Sequence, residues 1–231
     1  MYSYSQQAAP AIADRSSFLR RVGVFTFLGL MVAGITGVFS MFVVAPVVIE
    51  IGGGYGALGM ILATFFAAHY GGRAIVYKTS AKVPGLLFAS ACEGISLGFL
   101  LLYTVARLGL ENGVLTILQC LTLTVASGLG MLLYTATTKR ELSLVRAGLM
   151  TLGLPMLILM ALTFVFPIGG AIGIGISLLF VVFSAGALLY RLNAVVHTFP
   201  DGTHVEGAYE LTMSLLVLFW NLLSLLNRMR R

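Results

Sequence analysis

Glu93 lies in the middle of an apolar run, within "SACEGISLGF". A carboxylate there has to be protonated, paired, or turned toward a polar cavity. Two roles meet that requirement: a neutral glutamic acid hydrogen-bonded to a neighbouring helix, or a proton-sensitive, cation-contacting group. Arg191 closes a second apolar run, in "SAGALLYRLNAVVHTFPDG". It either snorkels to the membrane face as an anchor or sits inside a bundle against a carboxylate, because an unpaired buried guanidinium carries a large desolvation penalty. Glu93, Glu206 and Glu210 are the available partners, and the last two, four residues apart, share one helix face. Glu93, Arg191 and Glu210, with Glu206 beside them, form a candidate polar site. Asn193 and Asn221 are candidate hydrogen-bond groups joining the last two helices.

Other chemistry finds little support. "HTFPDGTHVEGAYE" offers His197, Asp201 and His204 as ligand types, but the spacing matches no standard zinc signature and "PDG" reads as a turn, so the segment is expected to be a solvated loop. His69 closes an apolar run and reads as an interfacial residue. There is no GxSxG, no HExxH and no glycine-rich phosphate loop followed by lysine. Asp14 and Asp201, the only aspartates, both fall in polar segments, which excludes an intramembrane aspartyl protease. Cys92 and Cys120 sit inside apolar runs as small hydrophobes. The expectation is a protein that is not an enzyme and needs no cofactor or metal.

The chain around these residues is 59% hydrophobic and 10% charged, with mean hydropathy +1.01. A soluble domain ordinarily carries about a quarter charged residues, so this composition points to a polytopic membrane protein. The net charge of +6 is spread in short clusters between apolar runs. That is the pattern of orientation signals, and no basic patch interleaves with stacking aromatics, so nucleic acid is not an expected partner.

A polar tail, residues 1–21, precedes the first apolar run, which is too long for a signal-peptide core. A spanning helix needs about 20 mostly apolar residues. Seven candidates follow, at residues 22–45, 51–69, 84–106, 113–135, 144–166, 169–190 and 209–226, the first two joined by a "PVVIEIGGG" loop. The fold class is all-α: residues 22–231 form a seven-helix transmembrane domain in a lipid bilayer. With a cytoplasmic N-terminus, ten positive residues fall inside: Arg15, Arg20, Arg21, Arg73, Lys78, Lys82, Lys139, Arg140, Arg146 and Arg191. Arg107 alone falls in the outer loops. Arg228, Arg230 and Arg231 then lie outside, unless the last segment re-enters; the early charges favour seven full crossings.

The order of these runs and several local stretches resemble the Bax inhibitor family, also called the transmembrane Bax inhibitor motif family, in its bacterial form. "YKTSAKVPG" is similar to the segment before helix three. "YTATTKRELS" resembles the junction of helices four and five, "GALLYRLNAVVH" the end of helix six, and "LTMSLLVLFWNLLSLLN" helix seven. The resemblance runs from Val22 to Leu226. It implies a seven-helix bundle with the last helix central, and a role as a pH-sensitive calcium leak or a regulator of cell death. It also implies a possible partner, a membrane-bound quality-control protease. One departure matters. Calcium-leak members carry an aspartate pair at the positions held here by Arg191 and Leu218. The expected function is therefore a pH-sensitive calcium or cation leak with a non-standard gate. The alternative is a non-conducting regulator that binds a membrane protease or another membrane complex through its N-terminal tail. The short tail and loops point to a bacterial inner membrane.

Overall fold

The computed structural model of the chain describes residues 12–138, 142–165 and 170–230. Among them every regular element is helical: α1 (Ile12–Phe39), a π-helical turn (Ser40–Val44), α2 (Ala45–Phe66), a second π turn (Ala67–Gly72), α3 (Arg73–Lys78), α4 (Lys82–Leu108), α5 (Leu110–Thr137), α6 (Ser143–Val165), α7 (Gly170–His197) and α8 (His204–Met229). In a bilayer no water is present to satisfy backbone groups, so helices are what a chain of this hydropathy forms.

The elements make six continuous helical runs, and five runs are long and apolar enough to cross a membrane. The count differs from the expected seven for two reasons. The first two expected spans fall within one 64-residue run, Arg15–Lys78, and α6, the expected fifth span, is not among the five. The long run is not straight. Gly53 has φ 57° and ψ −151°, a conformation essentially confined to glycine. The two arms on either side pack on α4 in opposite senses. Gly29 and Gly37 approach Ser90 and Gly94, so arm one runs parallel to α4. Ser96 Oγ meets Ile61 O and Thr64 Oγ1, whereas Gly85 meets Ile75 and Val76, so arm two runs antiparallel. The chain therefore reverses at Gly53, and the expected "PVVIEIGGG" loop is helical up to that residue.

Small residues set the closest contacts. Gly94 and Gly98 of α4 leave no room for a Cβ against Ala33, Thr36, Gly37 and Ser40 of the first arm. Apolar side chains gain nothing by leaving lipid for a protein interior, so close backbone approach takes over as the packing force. Large apolar residues such as Phe27, Ile35, Leu118, Leu133 and Val182 remain exposed on the outside, facing where lipid would be.

The last helix is central. α8 touches α1, α3, α4, α5 and α7, whereas α6 leans on α7. Two ends of the bundle follow from the pairings. At one, Arg15 meets the α7–α8 loop, Lys82 meets Glu206, and His197 meets the Thr135 carbonyl. At the other, Asn227 Nδ2 donates to Thr104 Oγ1 at 2.7 Å and Arg230 donates to Gln119 Oε1. α8 is unbroken between them, so its C-terminus lies at the end opposite Arg15, and no re-entrant turn occurs.

The helices overrun their expected limits. α1 begins at Ile12, inside the stretch read as a polar tail. There Arg15 donates to the carbonyls of Val195 (2.6 Å), Val196 (2.7 Å) and Phe199 (2.7 Å), and lies 3.8 Å from Asp201. A cation at the C-terminus of α7 satisfies its last carbonyls and complements the helix dipole. Arg15→Ala is expected to cost roughly 2–3 kcal/mol, as for loss of charge-assisted hydrogen bonds from a mostly buried group. Arg15→Lys should restore little of it, because an ammonium cannot reach three carbonyls as the planar fork does. Equilibrium unfolding in detergent checks this; equal stability of the lysine variant and wild type would refute the fork argument.

Candidate functional site

α7 continues to His197 and α8 begins at His204. Arg191 and Asn193 therefore lie on a helix rather than at its end, and Glu206 and Glu210 both lie in the first two turns of α8. This places Arg191 opposite Glu210: Nη1 to Oε2 is 2.7 Å. The other oxygen of Glu210 accepts from the Tyr77 hydroxyl of α3 at 2.9 Å. Arg73 sits over the Tyr77 ring at 5.5 Å, and Tyr77 meets the Tyr209 ring edge-on at 6.3 Å. The Arg191 side chain is about one third exposed and that of Glu210 mostly buried. Arg191 thus faces a carboxylate, Glu210.

Glu93 is 5% exposed and is not part of that pair. Its Oε1 lies 3.0 Å from His69 Nδ1, close enough for charge pairing but out of line for a hydrogen bond. His69 stacks on Phe65 at 4.2 Å, and its Nδ1 is also 3.2 Å from the Phe65 carbonyl. His69 thus differs from the interfacial residue expected. It sits in the π turn Ala67–Gly72, whose extra residue rotates the following side chains and frees carbonyls. Tyr209 takes up two of them, its hydroxyl donating to Ala68 O (3.0 Å) and His69 O (3.3 Å). The candidate residues are therefore linked through α8: Arg191 to Glu210 and Tyr77 at the bundle end, then Tyr209, then His69 and Glu93 further in.

Glu206 takes a different partner, Lys82 at the first position of α4, with Nζ 2.5 Å from Oε1. Its Oε2 is buried with no hydrogen-bond partner among the described residues. Asn193 and Asn221 make no side-chain hydrogen bond there, contrary to expectation. The asparagine that joins two helices is Asn227, buried against Thr104 at the opposite end. Leu218 is fully buried, about two turns deeper than Glu210. The loop candidates disperse: His197 to the Thr135 carbonyl, Asp201 to Arg15, and His204 onto the Phe25 ring at 5.5 Å. Among the described residues no three His, Cys, Asp or Glu side chains gather as a metal site.

Sequence reasoning missed Tyr77, Lys82, His69 and Arg15. Lys82 and Arg15 carry only an orientation signal in the sequence, and a tyrosine before a basic loop carries no signal of its own.

The profile of the family described as inhibitor of apoptosis-promoting Bax1 matches residues 15–231, nearly the whole chain. The chain belongs to the Bax inhibitor family. No curated protein matches it significantly. With its apolar helices, membership makes this Bax inhibitor family chain an integral membrane protein. A guanidinium stands at position 191, an apolar side chain at 218, and the carboxylate facing Arg191 is Glu210, eight residues earlier on α8. Eight residues are about 12 Å of helix, so the ion pair lies nearer the bundle end than Leu218 does.

Proposed function

We propose that this Bax inhibitor family protein is a pH-sensitive calcium or cation leak, not an enzyme, whose gate is the Arg191–Glu210 pair. It crosses the bacterial inner membrane seven times with its N-terminus cytoplasmic. The observation that carries the reading is the 2.7 Å pair between α7 and α8, braced by Tyr77. It bridges the two helices that hold the aspartates in calcium-leak members. Separating Glu210 from Arg191 frees α8 from α7 and opens the gate. The chain reversal at Gly53 supports seven crossings. The basic residues at the Arg15 end support a cytoplasmic N-terminus.

The test is calcium flux into proteoliposomes across pH 6 to 8, with Arg191→Ala run beside wild type. Wild-type flux should depend on pH. Arg191→Ala should conduct at all pH values, with the pH step reduced at least several-fold. Wild-type flux no greater than that of empty liposomes would end the leak reading.

A second reading has its own support: Leu218 is buried and apolar, so the family's usual sensor cannot form. Under it the chain is a non-conducting regulator of a membrane protease or another membrane complex. Deleting residues 1–11 should then abolish partner capture, whereas a leak should lose no flux.

A further inference from the structure

We propose that the two carboxylates at the start of α8 form a latent divalent-cation site, which Lys82 fills with its own ammonium. Glu206 and Glu210 stand one turn apart on one face of α8, and both lie within electrostatic range of the Tyr77 hydroxyl. Glu206 is mostly enclosed, its side chain only 7% exposed. One of its oxygens receives Lys82 Nζ at 2.5 Å, and the other is buried with no hydrogen-bond partner among the described residues. A buried carboxylate with a spare oxygen is incompletely satisfied, and such a group calls for an ion or water.

Lys82 is an odd occupant. It is the first residue of α4, where the helix dipole disfavours a cation, and no side chain caps this end. Local structure gives the lysine no reason to be there; Glu206 does. Its side chain is 39% exposed, and its flexible stem lets the ammonium withdraw to water. Withdrawal leaves Glu206, Glu210 Oε1 and the Tyr77 hydroxyl as an oxygen-only donor set, which suits a hard divalent ion such as calcium, with water completing the shell. Arg191 still offsets Glu210, so the uncompensated charge resides on Glu206. The inference rests on the cation-leak reading for its bearing on flux. Binding itself is independent of conduction.

The experiment uses the full chain in detergent micelles, with terbium(III) as the calcium stand-in, excited through tyrosine. Lys82→Gln should bind terbium at least about tenfold more tightly than wild type, and excess calcium should displace it. Lys82→Arg should behave as wild type. Adding Glu206→Gln to Lys82→Gln should remove the gain. Equal affinity in wild type and Lys82→Gln overturns the proposal. So does a gain that survives Glu206→Gln, which would put the ion on another carboxylate. If Lys82→Gln does not fold, Lys82→Met keeps the stem and carries the same comparison. Failure of the liposome experiment leaves this result untouched, because micelles hold no gradient.

Discussion

Gly94→Ala should destabilise the bundle by about 1–3 kcal/mol or more, the range for inserting a methyl where none fits. A Cβ on Gly94 would overlap Thr36 Oγ1 and the Ala33 carbonyl, and would lie 3.0 Å from Ala33 Cα. The threonine can rotate away; the backbone of α1 cannot. Gly98→Ala meets the same obstacle, with its Cβ overlapping Ser40 and 2.8 Å from the Gly37 carbonyl. Two such changes along one interface push the same pair of helices apart, so their costs should fall short of additive. Gly34→Ala is the control, because nothing lies within 4 Å of its Cβ. Alanine favours a helix over glycine by up to about 1 kcal/mol, so that variant should be neutral or slightly stabilised. Thermal unfolding in detergent separates them. A Gly94→Ala protein as stable as Gly34→Ala would show that α1 and α4 are not held by their small residues.

His69→Leu should cost about 1–3 kcal/mol, because it leaves the buried Glu93 carboxyl without its polar neighbour. Glu93→Leu should cost clearly less, because the histidine left behind still faces the Phe65 carbonyl. The double variant should resemble Glu93→Leu, giving a large coupling energy in the cycle. Purely additive single costs would mean that the 3.0 Å approach carries no interaction.

Much of the fold was legible in the sequence, because about 20 apolar residues in a row have few alternatives. What failed were the joints. Pro46 and three consecutive glycines read as a loop, yet Pro46 follows directly on the π turn Ser40–Val44 inside one continuous helical run, and only Gly53 turns the chain. α7 was ended at Tyr190 because polar residues follow, although a helix leaving a membrane keeps its backbone bonds whatever its side chains. Glu93 stood out because a carboxylate inside an apolar run demands an explanation. Its partner did not, since the π turn at Ala67–Gly72 changes the face that His69 presents and nothing in the local sequence announces that turn. Glu210 was identified as a possible partner for Arg191 by elimination among few carboxylates. Tyr77 and Lys82 meet α8 from 133 and 124 residues away, and no periodicity reports contacts at that range.

The central place of α8 governs how the protein can be made. The helix that fills the middle is synthesised after all its neighbours, so they wait in the membrane around a gap. During that interval Thr104 lacks Asn227, Lys82 lacks its carboxylate, and the π-turn carbonyls lack Tyr209. A chain stalled before residue 204 has spans that can insert but no means of closing around them. Assembly therefore waits until α8 has been made, and a ribosome that stops before it releases a product with its polar interior open.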